Sequence, residues 1–586
     1  MSLNIQSLQP LINFIWTVAD DVLVNTYQKG KYKDVILPMV VIRRLDLLLE
    51  PSKDQVLATF DEYKDKLQNL DSLLTSPKHG SGLAFYNTSP FTLKKLLQDP
   101  KNLRSNFEDY LNGYSDNVQD IIKQFKFRNE IETLDEANIL FSLIEKFCSP
   151  KIQLHPDNLP PLAMGYVYED LVRRFNEENN EEAGEHFTPR EIIDLMTHLV
   201  FLPVKDKIRK GTFLIYDPCV GSGGMLTIAK QFMLNPDGPV KSKATVHLYG
   251  QESTPFIYAT CKSDMLIKGE DPDKIAYGST LSQYGFDNEL KFDFMLTNPP
   301  YGKTWAPDKK ALGLGPKGAI VDKRFQVGQS RVNDGQLMFV LHMLSKMKDT
   351  ELGSRIASIH NGSALFTGDA GQGESEIRKY LIENDLLEVI IALPNDMFYN
   401  TGIPTYIFVY TNRKAKLRKG KIQLINATSE AFYSKMRKSL GKKRVEFKED
   451  NIAEIERMFL AFEDNEHSKV FDNEDFGYSQ IIVHRPERDD KGNIIKDNKG
   501  KPKSDSKLKD IENIPLMEDI QEFFDREVLP FAPDAWWNKD ETKVGYEITF
   551  NKYFYKYIPL RSLEEIAADL RAMERETENL LAEIIL

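Results

Sequence analysis

The run Phe292-Asp-Phe-Met-Leu-Thr-Asn-Pro-Pro-Tyr-Gly302 contains the four residues whose chemistry is easiest to read: Asn298, Pro299, Pro300 and Tyr301. An apolar stretch ends in an amide, and two prolines then stiffen the chain and remove two N–H donors. The Asn298 side-chain oxygen and the Pro299 carbonyl are left to converge on an –NH2 group, with Tyr301 offering a flat face. A planar amine held by two acceptors against an aromatic ring matches the exocyclic amino group of a nucleobase. Asn298, Pro299, Pro300 and Tyr301 are therefore the candidate catalytic residues.

A second constellation lies upstream. Asp217-Pro-Cys-Val-Gly-Ser-Gly-Gly-Met-Leu226 follows an apolar run and opens a helical pattern. Glycines allow a sharp turn and close approach to a ligand, and a helix start presents free N–H groups. The spacing Gly221-Ser222-Gly223-Gly224 misses the dinucleotide fingerprint, and Asp217 would repel a pyrophosphate. An acid with a tight glycine turn suits a cationic, amino-acid-bearing ligand such as S-adenosyl-L-methionine. The next apolar run ends in Glu252, placed to accept both hydroxyls of a ribose; the plain alternative is a surface acid at a strand end. Further upstream, in Gly184-Glu185-His186-Phe187-Thr188-Pro189-Arg190, Thr188 is a good N-cap and Pro189 a natural first helical residue.

These residues need a scaffold. Short apolar runs at 213–216, 245–250, 292–297, 355–360, 389–392 and 406–410 alternate with helical patterns. That alternation predicts a mostly parallel α/β sheet with helices on both faces. Before it, residues 1–155 read as helical: Ile12, Ile15, Trp16, Ala19 and Val22 recur at three- and four-residue steps. The catalytic domain is expected over 156–430 and a C-terminal region over 431–586. That region includes a polar stretch, 488–509, expected to be a solvated hairpin or loop. At its end Leu563, Ile566, Leu570, Met573, Thr577, Leu580 and Ile584 form a narrow heptad seam. The seam either packs on its own domain or binds a partner; its terminal position and flanking charge favour the partner.

Composition narrows the class. The chain has 586 residues, 41% apolar and 28% charged, enough for about three domains. No apolar run approaches membrane-spanning length, and the first residues lack a signal-peptide pattern. Cys148, Cys219 and Cys261 are scattered without metal spacing, so a reduced cytoplasmic protein without a metal centre is expected. The net charge of −12 argues against a broad, unaided grip on DNA. Residues 302–334 stand out locally, with seven cations (Lys303, Lys309, Lys310, Lys317, Lys323, Arg324, Arg331) and five glycines, and are expected to form a mobile, DNA-contacting lid.

The order Glu-His-Phe-Thr-Pro-Arg, Asp-Pro-Cys-Val-Gly-Ser-Gly-Gly, Gln-Glu, Asn-Pro-Pro-Tyr resembles the gamma class of amino-group DNA methyltransferases, and specifically the methylation (modification) subunit of type I restriction-modification systems. The resemblance spans nearly the whole chain. It includes Arg43-Arg44-Leu45-Asp46 in the helical part and Ala364-Leu-Phe-Thr-Gly368 in the catalytic half. It implies a Rossmann-like methyltransferase sheet, a helical N-terminal domain and a helical tail. It implies adenine N6 as the methyl acceptor and S-adenosyl-L-methionine as the donor, bound by Glu185, His186, Phe187, Thr188, Pro189, Arg190, Asp217, Gly221, Ser222, Gly223, Gly224 and Glu252. It also implies DNA as substrate, two methylation subunits per specificity subunit, and a separate restriction/translocase subunit. The sequence departs from relatives at Ser279, where an acidic or amide residue often contacts the cofactor's adenine. Two other readings remain: a protein glutamine N5-methyltransferase, which would use the same Asn-Pro-Pro-Tyr turn, and a catalytically silent scaffold subunit. The first class is shorter and lacks the Thr-Pro-Arg element and the terminal heptads; the intact motifs oppose the second.

Overall fold

The computed structural model describes residues 5–178, 188–313, 315, 320–399, 401–497, 500–555 and 562–585. The N-terminal part is helical. In the helix Gln9–Leu23 the buried residues Ile12, Ile15, Val18, Ala19 and Val22 form one stripe, and Trp16 stacks on Phe175 with ring centroids 4.5 Å apart. The helix Tyr32–Leu49 is buried nearly all round, the state of a helix at the centre of a core. Its buried charged side chains are hydrogen-bonded. Arg43 Nη1 donates to Asp46 Oδ2 at 2.9 Å, Tyr110 Oη donates to Asp46 Oδ1, and Arg44 Nη1 donates to the Leu154 carbonyl. Burial pushes the Arg44 guanidinium down to about 10.

The centre of the molecule is a nine-stranded sheet in the order β11-β8-β6-β7-β5-β4-β1-β2-β3. The strands are β1 (Thr212–Asp217), β2 (Thr245–Glu252), β3 (Ile275–Tyr277), β4 (Phe294–Thr297), β5 (Arg355–Asn361), β6 (Leu387–Leu393), β7 (Thr405–Thr411), β8 (Lys421–Asn426) and β11 (Ser468–Asp472). Strands β1 to β5 pair in parallel, as do β6 and β8. β7 runs antiparallel between β5 and β6, and β11 antiparallel on β8. Every residue of β6 and β7 is buried, as expected of strands covered on both faces. All six runs read from the sequence are strands. β3 and β8 were not read, and the sheet extends past residue 430 because β11 returns to its edge.

The helix Pro255–Lys268 joins the sheet to the helical part. Its Ala259, Leu266 and Ile267 belong to the N-terminal core, and its Tyr258 hydroxyl donates to Asp120 Oδ2 at 2.7 Å. After β8 come an antiparallel hairpin, β9 (Ser434–Leu440) and β10 (Lys443–Glu446), and then the helix Glu449–Ala461. A three-stranded antiparallel sheet follows, built from β12 (Gly477–Val483), β13 (Asp510–Pro515) and β14 (Lys543–Tyr546). Arg378 Nε donates to the Tyr546 carbonyl at 2.6 Å and so ties β14 to the helix Gly373–Glu383. Between β12 and β13 the polar stretch folds back on itself through bridges Arg488–Ile494 and Lys496–Pro502.

Thr549–Leu586 is a separate compact unit. It contains the helices Phe550–Phe554 and Leu563–Ile585. Leu563, Ile566 and Leu570 are exposed on the longer one. Among the described residues no helix is long and apolar enough to cross a membrane.

Candidate active site

β1, β2 and β4 lie side by side and end in Asp217, Glu252 and Thr297. The carboxyl edge of an open α/β sheet is where such folds bind ligands. From Asp217 the chain turns through Gly221, at φ 52°, and Gly223, at φ 88°, into the helix Gly224–Leu234. The Gly221 N–H donates to Glu252 Oε2 at 3.3 Å, and the Thr254 N–H donates to Glu252 Oε1 at 2.7 Å. The acid at the end of β2 is thus fixed against the glycine turn. Asp217 Oδ1 accepts from Thr297 Oγ1 at 2.7 Å and from the Cys219 N–H at 2.9 Å. Burial is the main influence on Asp217 and pushes it up to about 7; its two hydrogen bonds oppose that rise, and the nearby Glu252 adds to it.

The two glycines differ in role. A Cβ on Gly223 would stand 2.7 Å from Met265 Cε and 3.0 Å from Cys261 Sγ. Gly223 therefore lets the turn pack on the helix Pro255–Lys268, whereas close approach to a ligand was the reading from sequence. Gly221, Ser222 and Gly224 line the open cleft together with Asp217, Thr188 and Asn298.

Asn298 follows β4 at its carboxyl end. Its Nδ2 donates to Thr188 Oγ1 at 3.1 Å, while its Oδ1 is buried with no hydrogen-bond partner among the described residues. An unpaired buried acceptor costs about 1–3 kcal/mol, so this oxygen is a vacant acceptor held in place at a cost in stability. Pro299 is buried, Pro300 exposed, and Tyr301 half-buried against the core of the sheet. Gly302, at φ 69°, donates its N–H to Asp334 Oδ1 at 3.1 Å. Asp334 Oδ2 in turn accepts from Ser363 Oγ at 2.7 Å, Gln336 Nε2 at 2.9 Å and Arg331 Nη2 at 3.2 Å. Burial opposes ionisation of Asp334, but these bonds hold its carboxyl below the usual range. Gln336 Oε1 lies 3.0 Å from His360 Nδ1, and burial pushes His360 down to about 3, so the imidazole is neutral.

Residues 162–481 match the family described as N-6 DNA Methylase, and residues 11–147 match the HsdM N-terminal domain. The chain belongs to the N-6 DNA methylase family. The two matches bear out the resemblance to type I modification subunits. The MjaIX methylase subunit, a type I restriction enzyme subunit of Methanocaldococcus jannaschii, is 24% identical over 507 residues, 80% of each chain. The HindI methylase subunit of Haemophilus influenzae is 29% identical over 298 residues, 50% of this chain and 61% of that one. Among solved structures, the type I methyltransferase subunit from Streptococcus thermophilus superposes with a TM-score of 0.58 at 21% identity, covering 80% of this chain and 96% of the other. A chain from a structure of type I restriction-modification complex assembly superposes with a TM-score of 0.51 at 18% identity, covering 98% and 97%. At these identities the superpositions establish the shared fold.

In this N-6 DNA methylase the two clefts meet at Asn298. The second one is lined by Gly221, Glu252, Gly278, Ser279, Asn298, Pro300 and Phe339. Ser279, where the resemblance implies an acidic or amide residue, is thus in the cleft wall. The Thr-Pro-Arg element differs in detail from its sequence reading. The helix starts at Arg190 with Pro189 in the cap position and no side-chain cap bond. The Thr188 hydroxyl instead accepts from Asn298. Arg190 donates to Glu169 Oε2 at 2.6 Å and lies over the Tyr166 ring, so its charge is directed to the helix Pro161–Glu178. Glu185, His186 and Phe187 lie outside the described residues.

The expected mobile lid is largely folded where it is described. Trp305 is buried, with Nε1 donating to the Arg331 carbonyl at 3.0 Å. Arg324 is clamped by Asp322 and the Thr280 and Leu281 carbonyls, and Arg331 is turned to Asp334. The sequence reading missed Asp334, Gln336, Ser363 and His360. They come from two segments, 334–336 and 360–363, which meet only in the folded chain.

Proposed function

We propose that this chain is a site-specific, S-adenosyl-L-methionine-dependent DNA adenine N6-methyltransferase, the methylation subunit of a cytoplasmic type I restriction-modification complex. Two copies would act with one DNA-specificity subunit, and a restriction/translocase subunit would join them in the full complex. The observation that carries the reading is the vacant, buried Asn298 Oδ1 between two clefts that hold Asp217 and Glu252.

The residues present fit the cofactor. Asp217 would face its cationic amino-acid end, Glu252 its ribose hydroxyls, and the Gly221–Gly224 turn its backbone, with Thr188, Pro189, Arg190 and the preceding Glu185, His186 and Phe187 closing the site. When bound, S-adenosyl-L-methionine supplies an electrophilic methyl group. Adenine N6 is inaccessible inside a duplex, so the base must be flipped out. Asn298 Oδ1 and the Pro299 carbonyl accept the two N6 hydrogens and draw the nitrogen lone pair out of conjugation. Tyr301 stacks on the base, and Pro300 stiffens the turn. Holding donor and acceptor in line supplies much of the acceleration.

The test is a methyl-transfer assay with labelled cofactor and duplex DNA, with and without the specificity subunit. The expected product is N6-methyladenine, formed efficiently only in the complex. Label on protein glutamine would install the N5 reading. A complex that binds DNA and transfers no methyl group would install the scaffold.

A further inference from the structure

The β9–β10 hairpin is a second polar surface, and it stands beside the clefts. From 434 to 446 its sequence is Ser-Lys-Met-Arg-Lys-Ser-Leu-Gly-Lys-Lys-Arg-Val-Glu: six cations and one acid, Glu446, in a chain of net charge −12. Lys435, Arg437, Lys438, Lys442 and Arg444 are exposed, while Met436 and Leu440 line a groove whose acids, Glu169, Asp170, Glu191 and Glu446, are ion-paired to none of these exposed cations. Lys435 meets Glu430 in a solvent-exposed pair, which water and salt weaken. Arg437, Lys438, Lys442 and Arg444 are ion-paired to no described residue.

The ribbon is firmly seated. The Lys442 and Arg444 N–H groups donate to the Tyr399 and Asp396 carbonyls, both at 2.9 Å. A Cβ on Gly441, at φ 60°, would stand 2.5 Å from the Tyr399 carbonyl oxygen, so this turn is pressed onto that segment. Residues 396–399 follow the carboxyl end of β6, on the sheet edge that also carries Asp217, Glu252 and Asn298. Buried Lys443 pairs with Glu191 in the first turn of the helix Arg190–Phe201, and Thr188, just before that helix, bonds Asn298. Like charges this dense repel one another unless a polyanion faces them, and duplex DNA presents one phosphate charge per ~1.7 Å of axis.

We propose that the 434–446 hairpin is a sequence-independent phosphate clamp that holds the DNA backbone next to the flipped nucleotide. The proposal rests on the methyltransferase reading above. Its partner is the sugar-phosphate chain, because exposed Lys and Arg contact phosphates irrespective of base sequence.

The test uses the complex with its specificity subunit and a triple variant, Arg437→Gln, Lys438→Gln and Lys442→Gln. A charge-preserving triple, Arg437→Lys, Lys438→Arg and Lys442→Arg, is the control. The neutral triple is expected to raise KM for DNA at least about tenfold, with kcat at saturating DNA and S-adenosyl-L-methionine affinity unchanged. The slope of log affinity against log salt should become shallower by about 2–3, near 0.9 per lost phosphate contact. The control should behave as wild type. An unchanged salt slope overturns the clamp. So does a neutral triple that loses the specificity subunit, which would make the surface a protein interface, or one whose melting temperature and cofactor affinity fall together, which would make it structural. A wild-type complex that binds DNA and methylates no adenine sinks the function proposed above. The clamp is then still judged by the salt slope.

Discussion

At the scale of single residues the proposed reaction would rest on one acceptor and one carboxylate. Asn298 gives one of its two amide hydrogens to Thr188, and its Oδ1 has no partner among the described residues. Asn298→Ala is expected to lower kcat by at least about a hundredfold, the scale on which one preorganised polar group acts, with cofactor affinity intact by calorimetry. Methylation near the wild-type rate would place the acceptor site elsewhere. Asp217 gives a pH signature. Burial raises it from 3.8 to about 7, so the native state favours the neutral carboxyl. The stability this confers is present at low pH and is lost as pH rises towards 7. A cationic ligand has the opposite preference, because it needs the ionised form. Cofactor affinity should therefore rise by up to about tenfold per pH unit below 7 and level off above it. In Asp217→Asn that rise should vanish; an equal slope in the variant would show that another group titrates.

At the scale of elements the catalytic turn is held from behind. Asp334 bonds the Gly302 N–H, Ser363, Gln336 and Arg331 at once. Asp334→Ala should lower kcat by about a hundredfold through misplacement of the turn while cofactor affinity holds. A fall in cofactor affinity as large as that in kcat would mean that Asp334 supports the whole sheet edge. Gly223→Ala tests a different support. A side chain at φ 88° pressed on Met265 and Cys261 should cost about 1–3 kcal/mol and appear first as a lower melting temperature. An unchanged melting temperature with weakened cofactor binding would restore the reading of Gly223 as a ligand contact. The six strand runs and the Asn-Pro-Pro-Tyr turn were legible because each is continuous in sequence and apolar up to a polar end. β3 was not, because three residues carry no period. Asp334 was not, because two of its partners, Gly302 and Ser363, lie 32 and 29 residues away in sequence. Thr188 was read as a cap from local rules, while a tertiary partner, Asn298, claimed its hydroxyl.

At the scale of the whole molecule, distant pairing hid what local pattern could not carry. β11 joins β8 across some forty residues, and the basic hairpin draws its meaning from a seat on the sheet edge that no sequence window contains. The tail is the reverse case. Its heptad spacing is plain in sequence, and Leu563, Ile566 and Leu570 are exposed on the helix Leu563–Ile585. An exposed apolar stripe marks an interface, and the family resemblance implies a specificity subunit to fill it. The compact unit Met1–Ile548 precedes this helix, so deletion of residues 561–586 should leave a folded chain with wild-type cofactor affinity. That chain should fail to co-purify with the specificity subunit. With a net charge of −12 on the intact chain, weak unaided affinity for phosphates follows, so sequence-specific DNA binding and most methylation should be lost with the partner. Co-purification at full stoichiometry would assign the seam to the fold of this chain, and the specificity subunit would then have to dock elsewhere.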